Sequence, residues 1–155
     1  MQLSILAIGR AKKGALSDLT DEWFKRLPRK GQIIECESRL PSGLARQKEE
    51  SDKLLAAFDQ KAPKSARLIA FDPLGKNISS PELATLIESY RADSVMGCFF
   101  AIGGADGHHD TLLARADKKL SFGSATWPHM LFRAMVAEQL YRAEMILANH
   151  PYHRA

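Results

Sequence analysis

Residues 95–102 read VMGCFFAI, eight residues without a charged side chain. The run is too short for a membrane span and lacks the alternation of a half-exposed strand, so it reads as a strand buried on both faces. Such strands belong to parallel sheets covered by helices on both sides, which excludes most all-α and all-β architectures. The run ends on Gly103 and Gly104, with Gly107 close behind. Glycines at that point let the backbone turn sharply and let a ligand lie against bare main chain. The pattern then repeats in miniature. Leu120, Ser121 and Phe122 read as a short strand, Gly123, Ser124, Ala125 and Thr126 as a small-residue loop, and Pro128 opens a long helix. Ligands of open α/β sheets sit beyond the carboxyl ends of strands, so two such ends point to one pocket made by two loops. Taken alone, Gly103 and Gly104 also fit an ordinary tight turn, and GGADG lacks the spacing of the dinucleotide fingerprint.

The remaining segments alternate in the same sense. Residues 3–8 form a first strand ending at Gly9, followed by a basic loop over 10–13 and a helix over about 19–27, capped by Ser17 or Asp18 and stopped by Pro28. A second strand covers 32–37, and a helix over 45–58 carries an apolar stripe of Leu54, Leu55 and Phe58. A third strand, 67–72, leads into a turn at Pro73, Leu74, Gly75 and Lys76. Ser79, Ser80, Pro81 and Glu82 combine a serine cap, an early proline and the acidic partner of a capping box, and so start a helix that runs to about Arg91. A short helix is expected over 110–115 and the last helix over 129–148. In that last helix Leu131, Met135, Leu140, Ile146 and Leu147 are expected to cover the sheet, while Phe132, Val136, Tyr141 and Ala143 widen the apolar face beyond what one sheet needs. A second copy of the chain would bury the excess. The expected architecture is α/β, one domain of 155 residues with a mostly parallel sheet and helices on both faces.

The net charge of +4 sits in one place: residues 1–30 hold seven basic against three acidic residues, and the rest of the chain balances at fifteen of each. Arg10, Lys12 and Lys13 are therefore candidates for phosphate contacts, set against the plainer reading of a solvated face. Cys36 and Cys98 have no ligand spacing and read as buried thiols of a cytoplasmic protein. No apolar run is long enough for a membrane span. His108, His109 and Asp110 offer no third-element ligand, so no metal is expected.

The AIGGADG loop, the LSFGSATWPH loop, the helix carrying LFRAMVAEQLYRA and the terminal NHPYHR occur in this order over the whole length. Together with the Asp72-Pro73-Leu74-Gly75-Lys76 turn, they resemble the small ribosomal RNA large-subunit methyltransferases of the SPOUT class. That resemblance implies a deep trefoil knot in the C-terminal half, against the usual rule that chains do not thread. It implies S-adenosylmethionine as cofactor, a homodimer, and methylation of N3 of a pseudouridine in a stem-loop of 23S rRNA on the assembled ribosome. It also places the cofactor on Phe71, Gly103, Gly104, Phe122, Gly123, Ser124, Ala125, Thr126 and Trp127. Ala105 stands where the family frequently has proline, and Trp127 where a smaller apolar residue is usual.

The chemistry asks for alignment of a nucleophile, a methyl carbon and a sulfur, and for removal of the N3 proton by a base or by a cationic surrounding that stabilises the imide anion. A slot of Phe71, Phe122, Ala125 and Trp127 is expected to take the adenine. Candidate catalytic groups are His129, Arg133 and Arg142 on the last helix and His150, Tyr152, His153 and Arg154 in the tail, where Tyr152 suits base stacking and Arg154 a phosphate. His129 is equally readable as a plain helix-start residue. The last helix places the tail about 30 Å from its own second loop, while six extended residues reach about 20 Å, so the tail is expected to act on a partner's cofactor. Two rival functions remain: a non-catalytic ribosome-associated RNA-binding protein of the same fold, and an unrelated nucleotide-binding enzyme.

Overall fold

The computed structural model describes residues 1–152. Five strands, β1 (Gln2–Ile8), β2 (Lys30–Cys36), β3 (Ala66–Asn77), β4 (Gly97–Ile102) and β5 (Lys118–Ser121), form one sheet in the order β2-β1-β4-β3-β5 with every pairing parallel. β4, drawn from the uncharged run, lies at the centre and is buried at all six positions. Helices α1 (Ala15–Lys25), α3 (Ser80–Ala92) and α5 (His129–Leu147) cover one face, and α2 (Leu44–Lys61) and α4 (Asp110–Arg115) the other. The strands divide their side chains between the two. Leu3, Ile5, Ile69, Phe71, Phe100 and Ile102 face the first layer, whereas Leu6, Ile8, Leu68, Phe99 and Ala101 face α2 and α4. This period-two division is what makes a doubly covered strand look continuously apolar in sequence.

Three local expectations change. The first helix begins at Ala15, not near residue 19, and its N-cap is Gly14. Ser17 acts from the third helical position, its hydroxyl accepting from the Gly14 N–H at 2.9 Å and donating to the Gly14 carbonyl at 2.8 Å. The turn read at 73–76 is an excursion within β3. Pairing with β5 stops at Phe71 and resumes at Lys76, both opposite Leu120. Gly75 returns so close that a Cβ there would lie 2.7 Å from the Leu120 backbone, so only glycine fits. Ile78 N–H then bonds Ser121 at 3.2 Å. This close passage, with β5 lying beyond β3, is compatible with the expected knot.

The third change is a rotation of α5. The face turned to the sheet carries Val136, Ala137, Leu140 and Ala143, with the charged Arg133 and Glu144 buried on the same side. Leu131 and Met135, expected beneath the helix, line a surface groove instead. A stripe interrupted by two charged residues is invisible to an apolar period. By contrast, α3 starts as read: Ser79 and Glu82 close a capping box and Pro81 sits in the first turn.

Candidate functional site

Because the sheet is wholly parallel, all its carboxyl ends share one edge, and the loops there include the basic 9–14, residues 37–43, the glycine-rich 103–109 and the small-residue 122–128. The centre of this edge is held by Arg133. Its side chain, 1% exposed, reaches from α5 to the end of β1, where Nη2 donates to the carbonyls of Ile8 (2.7 Å) and Gly9. Nη1 pairs with Glu35 of β2 at 2.6 Å, and the same carboxylate oxygen accepts from the Ala11 N–H at 2.8 Å. Arg133 is therefore committed to anchoring α5 and the basic loop.

His129 opens α5. Burial, then the Arg133 charge, pushes its pKa down to about 4, with the Gly103 backbone and Glu35 acting the other way. Nε2 is buried with no hydrogen-bond partner among the described residues. An imidazole of this kind stays neutral near pH 7 and is a weak base toward an imide N–H, so it suits a hydrogen-bond acceptor better than a general base. The Gly103 backbone acts on its imidazole, which places the start of the glycine-rich loop near the start of α5.

The apolar slot is built differently from the expectation. The Phe71 ring, 7% exposed, lies 4.8 Å from that of Phe122 and 5.2 Å from that of Phe132, while Phe122 and Phe132 are 5.5 Å apart. These rings pack against each other as a floor, so Phe71 offers a ligand its main chain more than its face. Ser124, Ala125, Thr126 and Trp127 are exposed on the loop above, with Trp127 Nε1 donating to the Phe122 carbonyl at 3.2 Å. Gly123 adopts φ +90°, and its N–H donates to Asn77 Oδ1 at 2.8 Å. That bond ties the loop to the end of β3.

The glycine-rich loop closes through a bond from the Gly107 N–H to the Gly104 carbonyl at 3.0 Å, with Gly107 at φ +74°. Gly103 and Gly104 are demanded by the protein's own packing. A Cβ on Gly103 would lie 3.0 Å from the Gly107 backbone, and one on Gly104 would lie 2.5 Å from Glu50 Oε2 and 3.1 Å from an Ile8 methyl. His108 is buried beneath the loop, its Nε2 3.3 Å from the Ala101 carbonyl, and burial lowers its pKa. His109 caps α4, its Nδ1 accepting from the Thr111 N–H at 3.3 Å. Among the described residues no cluster of three His, Cys, Asp or Glu could hold a metal ion, and no helix is long and apolar enough to cross a membrane.

Arg10 lies on the same edge, paired with Glu37 at 3.2 Å, and Lys12 and Lys13 are exposed beside it. Arg142 and Tyr152 lie elsewhere. Tyr152 donates to Glu138 Oε1 at 2.8 Å, its ring sits 4.9 Å from the Arg142 guanidinium, and it packs on Tyr141 and Trp23. Glu138 also takes Arg142 Nη2 at 2.6 Å, the pair four residues apart that the sequence allows. His150 is exposed, and its Nδ1 accepts from the Tyr152 N–H at 3.1 Å. His153 and Arg154 lie outside the described residues. A surface groove runs from Phe122 and Gly123 past Leu131 and Met135 to Glu138 and Arg142, bordered by α1 and the start of α3. It joins the small-residue loop to the tail cluster along one helix face.

Sequence reasoning missed Glu35, Arg46, Glu50 and Asp106 at this edge. A usable signal was present for Glu50. Extending the Leu54 and Phe58 stripe of α2 backward by helical spacing lands on Gln47, Glu50 and Ser51, polar residues where an ordinary core helix would place apolar ones.

A family model described as "Predicted SPOUT methyltransferase" matches residues 1–153. "Ribosomal RNA large subunit methyltransferase H" of Rhodospirillum rubrum is 43% identical over 155 residues, covering 100% of both chains. The protein of that name from Mesorhizobium japonicum is 42% identical over 164 residues, again covering 100% of each. Among solved structures, a probable methylase family protein from Haemophilus influenzae matches at a TM-score of 0.59 and 13% identity, over 99% of this chain and 70% of that one, a likeness of fold.

Proposed function

The chain belongs to the SPOUT methyltransferase family, and on that premise we propose that it transfers a methyl group from S-adenosylmethionine to N3 of a pseudouridine in a stem-loop of 23S rRNA, on the assembled ribosome and in the cytoplasm. The observation that carries the reading is the end-to-end similarity to ribosomal RNA large subunit methyltransferases, at 43% identity over the full length of both chains. The carboxyl edge supports it. The Gly103 backbone lies near His129 at the start of α5, beside an aromatic cluster of Phe71, Phe122 and Phe132, which suits an apolar nucleoside site. S-adenosylmethionine, when bound, supplies an electrophilic methyl group on a sulfonium sulfur.

The chain's own residues do the rest. Main-chain groups of Phe71, Gly103, Gly104 and residues 122–127 bind the cofactor, with Ser124, Ala125, Thr126 and Trp127 closing over it and excluding water. His129 orients by accepting a hydrogen bond at Nε2. Arg10, Lys12 and Lys13 hold phosphates on the same edge, which fixes the RNA without reading its sequence. The N3 proton passes to solvent, a loss eased by positive charge from Arg154 and from Arg142, which shares its charge with Glu138, with Tyr152 and His153 as stacking and hydrogen-bonding partners. The protein works as a homodimer in which this tail serves the partner's loops. Tyr152 docks against α1 and the distal half of its own α5, and the apolar groove at Leu131 and Met135 is available to a second copy.

Calorimetry with S-adenosylmethionine, followed by methyl transfer to ribosomes lacking the modification, tests the reading. Micromolar binding and incorporation at N3 are expected. Ribosome binding without cofactor binding would make the protein a non-catalytic RNA-binding relative, and preference for a dinucleotide would replace the function altogether.

A further inference from the structure

The inner stripe of α2 changes character halfway along. Leu54 and Phe58 pack into the core beneath the sheet, but the preceding turns grip the glycine-rich loop. Gln47 Nε2 donates to the carbonyls of Asp106 at 2.7 Å and His108 at 3.2 Å, and Ser51 Oγ accepts from the His109 N–H at 2.8 Å. The Asp106 carboxylate receives the Ser42 hydroxyl at 2.6 Å and the Gly43 N–H at 3.3 Å, with Arg46 Nε at 3.6 Å. Those interactions, the Ser42 bond foremost, hold Asp106 below the usual carboxylate range. The helix and the two residues before it thus fix the second half of the loop.

Glu50 sits between these grips. It is 2% exposed, and Oε1 accepts from Arg46 Nε at 2.9 Å. Oε2 is sealed from solvent and receives no hydrogen bond from the described residues. It faces Gly104, where even a Cβ would approach it to 2.5 Å. Gly104 and Gly107 pair as an isolated antiparallel bridge, in which the Gly107 N–H makes the well-formed bond, and among the described residues the Ala105 N–H makes no backbone hydrogen bond. A buried carboxylate oxygen without a donor is costly and rare, and this one lies against the glycine-rich loop at Gly104.

We propose that Glu50 is a positioning residue of the cofactor site, whose free oxygen takes a backbone N–H of Gly104 or Ala105 when the glycine-rich loop closes on the cofactor. The inference rests on the methyltransferase reading above. Arg46 fixes the carboxylate from behind, so the loop moves to Glu50 and not the reverse. The unpaired acceptor destabilises the open loop, and binding relieves it, so the closed loop is favoured by the difference. Nothing in this arrangement touches the transferred methyl group, which is why Glu50 acts through the loop.

The test pairs calorimetry with backbone amide hydrogen exchange, read by NMR, on the full chain and on Glu50→Gln. The amide variant keeps the volume but cannot accept from both Arg46 and the loop. In the parent, S-adenosylmethionine is expected to slow exchange at Gly104 or Ala105 at least tenfold. In Glu50→Gln that protection is expected to vanish and Kd to rise about tenfold, one bond's worth. Parental affinity in the variant, or weaker binding with the parental protection pattern, overturns the proposal. So does a parent that binds cofactor without slowing either amide, a measurement that stands even if the variant fails to fold. A parent that does not bind S-adenosylmethionine at all overturns the methyltransferase reading and this inference with it.

Discussion

At the scale of single residues, His129 and Gly104 show how burial turns a candidate for chemistry into a group of defined state. The sequence offers His129 as one of several proton acceptors, and burial beside Arg133, with its pKa near 4, makes it a neutral hydrogen-bond acceptor. The linkage has a definite sign. A histidine whose folded pKa is depressed from 6.5 to about 4 leaves the unfolded chain binding more protons across that interval, so stability is complete above pH 6.5 and falls as pH drops toward 4. His108, lowered by burial, adds to the same limb. Thermal melts from pH 7 to pH 4 should therefore show a steeper loss of Tm in the parent than in His129→Gln, and parallel curves would contradict the buried neutral state. Gly104 carries the companion lesson. A valine there enters space held by Glu50 and Ile8, not only space a ligand needs, so Gly104→Val should lose cofactor binding and also about 1–3 kcal/mol of stability. Calorimetry and a melt check both. A variant with the parental Tm would mean that α2 yields more easily than its packing indicates.

At the scale of elements, what is legible in the sequence follows from how each element hides its surface. β4 and α3 are plain there, one as an apolar run buried on both faces, the other by a serine cap with its glutamate. The glycine-rich and small-residue loops are legible because glycine marks sharp turns at strand ends. The rotation of α5 and the polar half of α2 are not, because buried Arg133 and Glu144 and half-buried Gln47 find partners more than forty residues away, and buried Glu50 is paired on one oxygen alone. A sequence period registers apolar side chains and says nothing of such pairings. The basic loop between β1 and α1 belongs to this scale as well. Substituting alanine at Arg10, Lys12 and Lys13 together should flatten the salt dependence of ribosome binding by about 0.7–0.9 of a slope unit for each phosphate no longer neutralised. The loss should come mainly from Lys12 and Lys13, since Arg10 shares its charge with Glu37. Cofactor affinity should hold, and an unchanged slope would return the loop to a solvated face.

At the scale of the whole molecule, the decisive geometry is the length of α5. It begins beside the small-residue loop and runs nineteen residues, which is about 28 Å of helix. Tyr152 then folds back along the helix, packing on Trp23 and Tyr141 and bonding Glu138 near its middle. That docking leaves Tyr152 about 14 Å of helix from His129, and two antiparallel copies of α5 would bring each tail to the other's loops. The groove lined by Leu131 and Met135 gives such packing an apolar reason. Complementation tests the shared site. One chain carries Ala125→Phe, an exposed loop position where added bulk should block cofactor and spare the fold, and the other ends at Asn149. Each homodimer should be inactive. After subunit exchange at equal ratio, half of the dimers are mixed, and each mixed dimer joins the truncated chain's intact loops to the other chain's intact tail. Activity should therefore return to about a quarter of the parent's, one working site in half of the dimers. If every site is built within one chain, all sites keep a lesion and exchange restores nothing, so a mixture shown by mass spectrometry to have exchanged yet still inactive would rule out the shared site.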